Sequence, residues 1–150
     1  MARTSKAEQQ DWLALDRQVC FGLAVASRSV IALYRPLLEP MGLTHPQYLV
    51  MLALWEKEPQ KVSDLSRALA LDPGTLSPLL KRLEAIGYVK RERDAADERA
   101  LAVVLTAKGR DLKKEAVKVP QAIIDKLGMP VGELIELKRR LDEIIAKATD

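Results

Sequence analysis

The sequence predicts a mainly α chain with a small β-hairpin wing, an α+β molecule, and three observations predict it. Apolar residues recur at steps of three and four over most of the length. Aromatic residues are only 4% of the chain, so Leu, Ala, Val and Ile, mostly good helix formers, must build the core. Alternation with a period of two is confined to the stretch after Gly87. With 150 residues, 48% of them apolar and 30% charged, the chain has room for one domain with a sizeable core.

The elements follow in order. Leu15, Val19, Leu23, Ala26, Val30, Leu33 and Leu37 predict a long helix from Asp11 to about Leu33, ended by Pro36 and then by Pro40 with Gly42. Thr44 is placed to cap a second helix ahead of Pro46 and the run YLVMLALW, which closes at Glu58-Pro59. That run is apolar nearly all round, so its helix belongs in the core. Ser63 is the expected cap of a short helix with Leu65, Ala68 and Leu69 facing inward, broken at Leu71-Asp72-Pro73-Gly74. The next helix carries Leu76, Leu79, Leu80, Leu83 and Ile86 on its core stripe, tolerates Pro78 only in its first turn, and stops at Gly87. Tyr88-Val89 and then Leu101, Val103 and Leu105 read as two strands joined by KRERDAADER, a tip too charged to be buried. Thr106 caps a helix through Leu112, Ala116, Val119 and Ile123, bent or interrupted at Pro120, and Gly128-Met129-Pro130 is the next break. The last helix aligns Leu134, Leu137, Leu141, Ile144 and Ala148 in a narrow seam fit to pair with a second copy.

Composition removes several function classes. The longest apolar runs, Val19 to Ala26 and Tyr48 to Trp55, have 8 residues each, whereas a bilayer span needs roughly 20. No membrane segment is therefore expected, and the cytoplasm is the expected location. The single cysteine, Cys20, excludes an intrachain disulfide and a multi-cysteine zinc site. No phosphate loop, metal-ligand cluster or nucleophile elbow is present, so no cofactor, no metal and no enzymatic activity are expected. The net charge of +3 is modest, but residues 61–110 hold 10 basic and 7 acidic residues while the rest of the chain balances. An electropositive face and a solvated surface both fit that asymmetry.

Helix, tight turn, polar-faced helix and charged hairpin, in that order, make a winged helix-turn-helix, whose second helix enters the major groove of double-stranded DNA. Thr75 and Ser77 are short groups that can meet base edges or phosphates, and Lys81 and Arg82 can bind phosphate or guanine. Arg91, Arg93 and Arg99 supply cations at the wing, where Asp97 is close enough in sequence to orient the Arg99 guanidinium. The alternative is a helix that only packs and an ordinary charged hairpin.

Residues 46–106 resemble the MarR family of dimeric bacterial transcription regulators. PQYLVMLALW, LDPGTLSPLLKRLEAIGYVKRERDAADERA and LTAKG carry the likeness, most specifically from Asp72 to Gly109. The resemblance implies N- and C-terminal helices that form a homodimer and a roughly palindromic operator. It divides the chain into a helical dimerisation region, 11–45 with 106–150, and a DNA-binding region, 46–105.

QVCFGLAVASR and YRPLLEPMGLTHPQY are similar to the organic-hydroperoxide-sensing branch of that family, of the one-cysteine type. The resemblance implies that Cys20 is oxidised and the repressor then leaves its operator, derepressing a peroxide-detoxification gene. A thiolate is the nucleophile such chemistry needs. If Cys20 and Tyr34 share one straight helix, 14 residues hold them roughly 21 Å apart, so they meet only across a dimer. Tyr34 matches one of two partner tyrosines that hold the cysteine in that branch, and His45 stands in place of the second. A protonated imidazole there would favour the thiolate and make sensing pH-dependent. Lacking a resolving cysteine, the chain needs a low-molecular-weight thiol or further oxidation for lasting inactivation. The rival readings are a MarR-type repressor released by a non-covalent phenolic or drug-like ligand, with Cys20 a buried hydrophobe, and a thiol peroxidase.

Overall fold

The computed structural model describes residues 12–149; the expected helix start at Asp11 lies outside the described residues. Within them run α1 (Val19–Leu38), α2 (His45–Glu56), β1 (Gln60–Lys61), α3 (Val62–Ala68), α4 (Pro73–Ile86), β2 (Val89–Arg93), β3 (Leu101–Leu105), α5 (Ala107–Ala116), α6 (Val119–Leu127) and α7 (Val131–Ala148). Single 3-10 turns at Leu15–Arg17 and Glu39–Met41 flank α1. The mainly α chain with a small wing is as predicted.

The first helix differs from its prediction at both ends. An extended Gln18 separates the 3-10 turn from α1, which begins only at Val19. At the other end the helix runs through Pro36 instead of stopping there. Proline forfeits one backbone hydrogen bond. That loss is offset because the last turn anchors Leu38, 1% exposed, in the core.

Thr44 precedes α2 as expected, and the Gln47 side chain accepts from the Thr44 N–H at 3.0 Å. Val50, Met51 and Leu54 of α2 are fully buried and pack with Leu65, Leu76, Leu80, Leu83 and Val103 in one core. The helix is not buried all round, since Leu49 and Leu52 on its far side reach the surface.

Ser63 is not a cap: α3 starts two residues earlier than that cap would set, at Val62 after Lys61. Leu65 is buried, but Ala68 is exposed and Ser66 takes the inner place, its hydroxyl donating to the Leu71 carbonyl. Asp72 caps α4, accepting from the Thr75 N–H at 2.8 Å. Pro78 sits in the second turn of α4, not the first, on the exposed side. Gly87 ends α4 with φ +95°, a conformation that suits glycine, and the Tyr88 N–H closes the motif on the Leu83 carbonyl at 3.0 Å.

The wing is a three-stranded antiparallel sheet in the order β1-β3-β2. β2 and β3 pair with Val89 opposite Leu105 and Arg93 opposite Leu101. The two-residue β1 had no period to betray it; its pairing with β3 makes β3 central, and Ala102 and Val103 are both buried. Thr106 caps α5, accepting from the Gly109 N–H at 3.1 Å and donating to the Gly87 carbonyl at 2.5 Å. α5 and α6 are separate helices, with Pro120 in the first turn of the second.

Two surfaces are left uncovered. No residue of α7 is buried, although Leu134, Leu137, Leu141 and Ile144 line one side of it. On its charged side, ion pairs such as Lys138–Asp142 at 2.6 Å are already made. α1 packs on α2 and α6 through its second half and exposes Val19, Phe21, Leu23 and Ile31. By length and composition the stretch Val19–Met41 also suffices to cross a membrane, which the count of unbroken apolar runs had not foreseen.

Candidate functional site

The chain's chemistry-bearing residues fall into two groups. The first surrounds the junction of α1 and α2. Tyr34, in the second half of α1, meets His45, the first residue of α2, edge to face with ring centroids 4.9 Å apart. Tyr48, one turn further along α2, lies 5.7 Å from Tyr34 and 6.3 Å from His45. Residues i and i+3 share a helix face, so His45 and Tyr48 point the same way. That spacing was readable in the sequence, but Tyr48, whose ring is buried, was not named among the site residues there.

Burial raises the Tyr34 and Tyr48 phenols above their ordinary range, in Tyr48 with a further push from Tyr34. Both hydroxyls therefore keep their protons and remain donors. Neither is hydrogen-bonded to any described residue. Burial lowers the His45 imidazole below its usual value, so near neutral pH it is a neutral ring and not the cation considered above. The cluster thus offers two phenol donors and an imidazole, all uncharged.

Cys20 is not part of this cluster. It is exposed, in the first turn of α1, and shares that straight helix with Tyr34, roughly 21 Å away along the axis. This location was hidden while the helix was taken to begin at Asp11.

The second group is the helix-turn-helix and wing. Thr75, Lys81 and Arg82 are exposed on α4 and Ser77 is half-buried, opposite the buried Leu76, Leu80 and Leu83. Arg91 does not project as a loose cation: its guanidinium pairs with Glu84 of α4, both partly buried. Arg93 donates to the Glu98 carbonyl at 2.9 Å across the wing. Asp97 meets Arg99 through the backbone, accepting from its N–H at 3.1 Å, and not through the guanidinium, which stays exposed. Asp94 completes the tip by accepting from the Ala96 and Asp97 N–H groups at 3.0 and 2.9 Å. Glu84 was missed because its partner lies beyond the Gly87 turn.

The sequence model of transcriptional regulators SarA/Rot matches residues 32–116, more than half of the chain. This chain is a SarA/Rot-type regulator, a MarR-like winged-helix protein. The transcriptional regulator TtmR of Methylorubrum extorquens is 43% identical over 99% of this chain and 76% of its own length. The organic hydroperoxide resistance transcriptional regulator of Bacillus subtilis is 40% identical over 87% of this SarA/Rot-type chain and 89% of its own. Among solved structures, reduced AbfR bound to DNA superposes with a TM-score of 0.76 at 35% identity, covering 95% of this regulator and 99% of AbfR.

Proposed function

We propose that this regulator is a dimeric, cytoplasmic DNA-binding repressor that lets go of its operator when an organic hydroperoxide oxidises Cys20. The observation that carries the reading is the cluster of Tyr34, His45 and Tyr48. Its two phenol donors are unused among the described residues, and Cys20, on the same helix as Tyr34, cannot reach that tyrosine without a second copy. Support for that copy comes from the open apolar stripes of α1 and α7. Arg28 stands within the stretch that is apolar enough for a membrane, where a charge costs about 2.5–3.5 kcal/mol. A protein partner suits it better than lipid. Residues 11–45 and 106–150 would then join the copies, and 46–105 would read DNA as two half-sites about one helical turn apart.

In the proposed step the Cys20 thiolate attacks the outer peroxide oxygen. An S–O bond forms, the O–O bond breaks, and the alkoxide leaves and takes up a proton as an alcohol. Cys20 is then a sulfenic acid, which a low-molecular-weight thiol caps as a mixed disulfide with loss of water. Tyr34 and His45 of one copy would hold the sulfur of the other while it is reduced. Thr75, Ser77, Lys81, Arg82, Arg93 and Arg99 would contact DNA, with Arg91 setting the angle of the wing through Glu84.

The test is a gel shift on DNA from upstream of the protein's own gene, with and without cumene hydroperoxide. Wild type should release the DNA on oxidation and Cys20→Ser should stay bound. Equal release by both proteins would falsify the sensor role.

A further inference from the structure

Leu76, Leu80 and Leu83 are fully buried and fix which side of α4 faces the core. Gly74, Pro78, Lys81 and Ala85 follow one another at steps of four, three and four along the opposite side, and all are exposed. Thr75 and Arg82 border that row on one flank and the half-buried Ser77 on the other. Pro78 thus stands in the middle of the face that would meet DNA. It is the sixth residue of the helix, so the Gly74 carbonyl has no N–H four positions on to accept from. Pro73, the first residue, carries no such penalty, because the first N–H groups of a helix have no intrahelical acceptor anyway. Nor is the loss at Pro78 offset by burial of the ring, which is exposed. A local rule broken without gain in the core is expected where the residue serves a contact.

Pro78 offers a rigid apolar ring with neither donor nor acceptor, in the second turn of α4, among side chains that have them. The N-terminal part of such a helix is the part that reaches base edges. Ala85, the other apolar side chain of the row, lies seven residues and roughly 10 Å further along. On the base edges of the major groove the apolar group is the C5-methyl of thymine, whereas adenine and cytosine present amino donors and guanine presents acceptors. Those polar groups would be left unpaired under the ring, a loss that a methyl group does not suffer. We propose that Pro78 is a specificity-determining residue whose ring packs on the C5-methyl of one thymine in each half-site. This rests on α4 entering the major groove and adds the base feature selected there.

The test uses the reduced full-length protein and the shortest fragment from upstream of its own gene that footprinting shows protected. Each thymine of that fragment is replaced in turn by deoxyuridine, which lacks only the methyl, and affinity is measured by competition gel shift at one salt concentration. Wild type should lose about fourfold at one thymine per half-site, and about fifteenfold when both are replaced, as burial of one methyl group at each allows. Pro78→Ser should bind the unmodified fragment more weakly by a similar factor and be indifferent to deoxyuridine at those positions. Its melting temperature should nevertheless rise, because the helix regains a backbone hydrogen bond. Pro78→Ala should gain stability in the same way and keep part of the methyl preference. A proline with only a structural role would not move stability and affinity in opposite directions. The proposal is overturned if no thymine methyl matters to wild type, or if Pro78→Ser keeps wild-type sensitivity at the same thymines. Arg82→Ala separates this failure from that of the reading beneath it. If that variant binds the fragment more weakly while no methyl matters, only the Pro78 contact fails; if neither change has an effect, the placing of α4 in the groove fails with it.

Discussion

The half-buried imidazole of His45 makes a prediction of definite sign. Its folded-state pKa lies below the 6.5 of a free histidine because burial disfavours the cation. Between those two values the unfolded chain binds more protons than the folded one, so stability rises with pH through that window and falls on acidification below about 6.5. His45→Phe should flatten this slope relative to wild type in thermal melts between about pH 5 and about 7.5. An unchanged slope would show that His45 is not the group responsible. Operator contacts are argued at the same scale. If Arg99 meets phosphate, Arg99→Gln should weaken binding to all sequences alike and reduce the salt slope of log K by about 1. If Arg82 reads a base, Arg82→Gln should cost about 1–3 kcal/mol on the operator and little on random DNA. Competition gel shifts at several salt concentrations separate the two outcomes.

Among the elements, the start of α5 explains a motif that was legible only as a resemblance. A Cβ on Gly109 would stand 2.1 Å from the Tyr88 carbonyl oxygen, which also accepts from the Thr106 N–H at 3.0 Å. The glycine is thus required by the close approach of α5 to the strand entering the wing. Gly109→Ala should lose about 1–3 kcal/mol of stability in urea unfolding, as overpacking against backbone does. A variant as stable as wild type would mean that α5 can shift freely. α5 is tied to α2 as well, through Trp55, whose indole donates to the Gly109 carbonyl at 2.9 Å, and through Glu58, which accepts from Arg110 Nε at 2.7 Å and from the Leu105 N–H at 2.6 Å. These bonds tie the end of α2 and the loop after it to α5 and to the central strand of the wing. The Glu84–Arg91 pair fastens the outer strand to α4 in the same way. Helix existence was readable from apolar spacing, because that spacing is a local consequence of burying one face. Boundaries were not: α1 continues past Pro36 because Leu38 is buried, and the turn before α4 uses Ala70 at φ +52°, where no glycine announced it.

For the whole molecule, the surfaces left bare decide the expectation. α7 contributes nothing to the core of its own chain, yet its open stripe includes Leu137 at 49% and Ile144 at 42% exposure. Such a stripe is ordinarily covered. Leu137→Lys with Ile144→Lys should leave the winged region folded by circular dichroism but yield monomers in sedimentation, and operator affinity should fall by at least tenfold as two-site binding is lost. Persistence of the dimer would move the interface to α1 alone.

What the amino-acid order settled unaided was local: the helices, their caps at Thr44 and Thr106, the stop at Gly87 and the charged wing tip, each governed by neighbours within about one turn. Only the tertiary structure brought Tyr34, His45 and Tyr48 into one cluster and paired Arg91 with Glu84. Those arrangements depend on how separate helices pack, and packing joins residues whose distance along the chain carries no period to read.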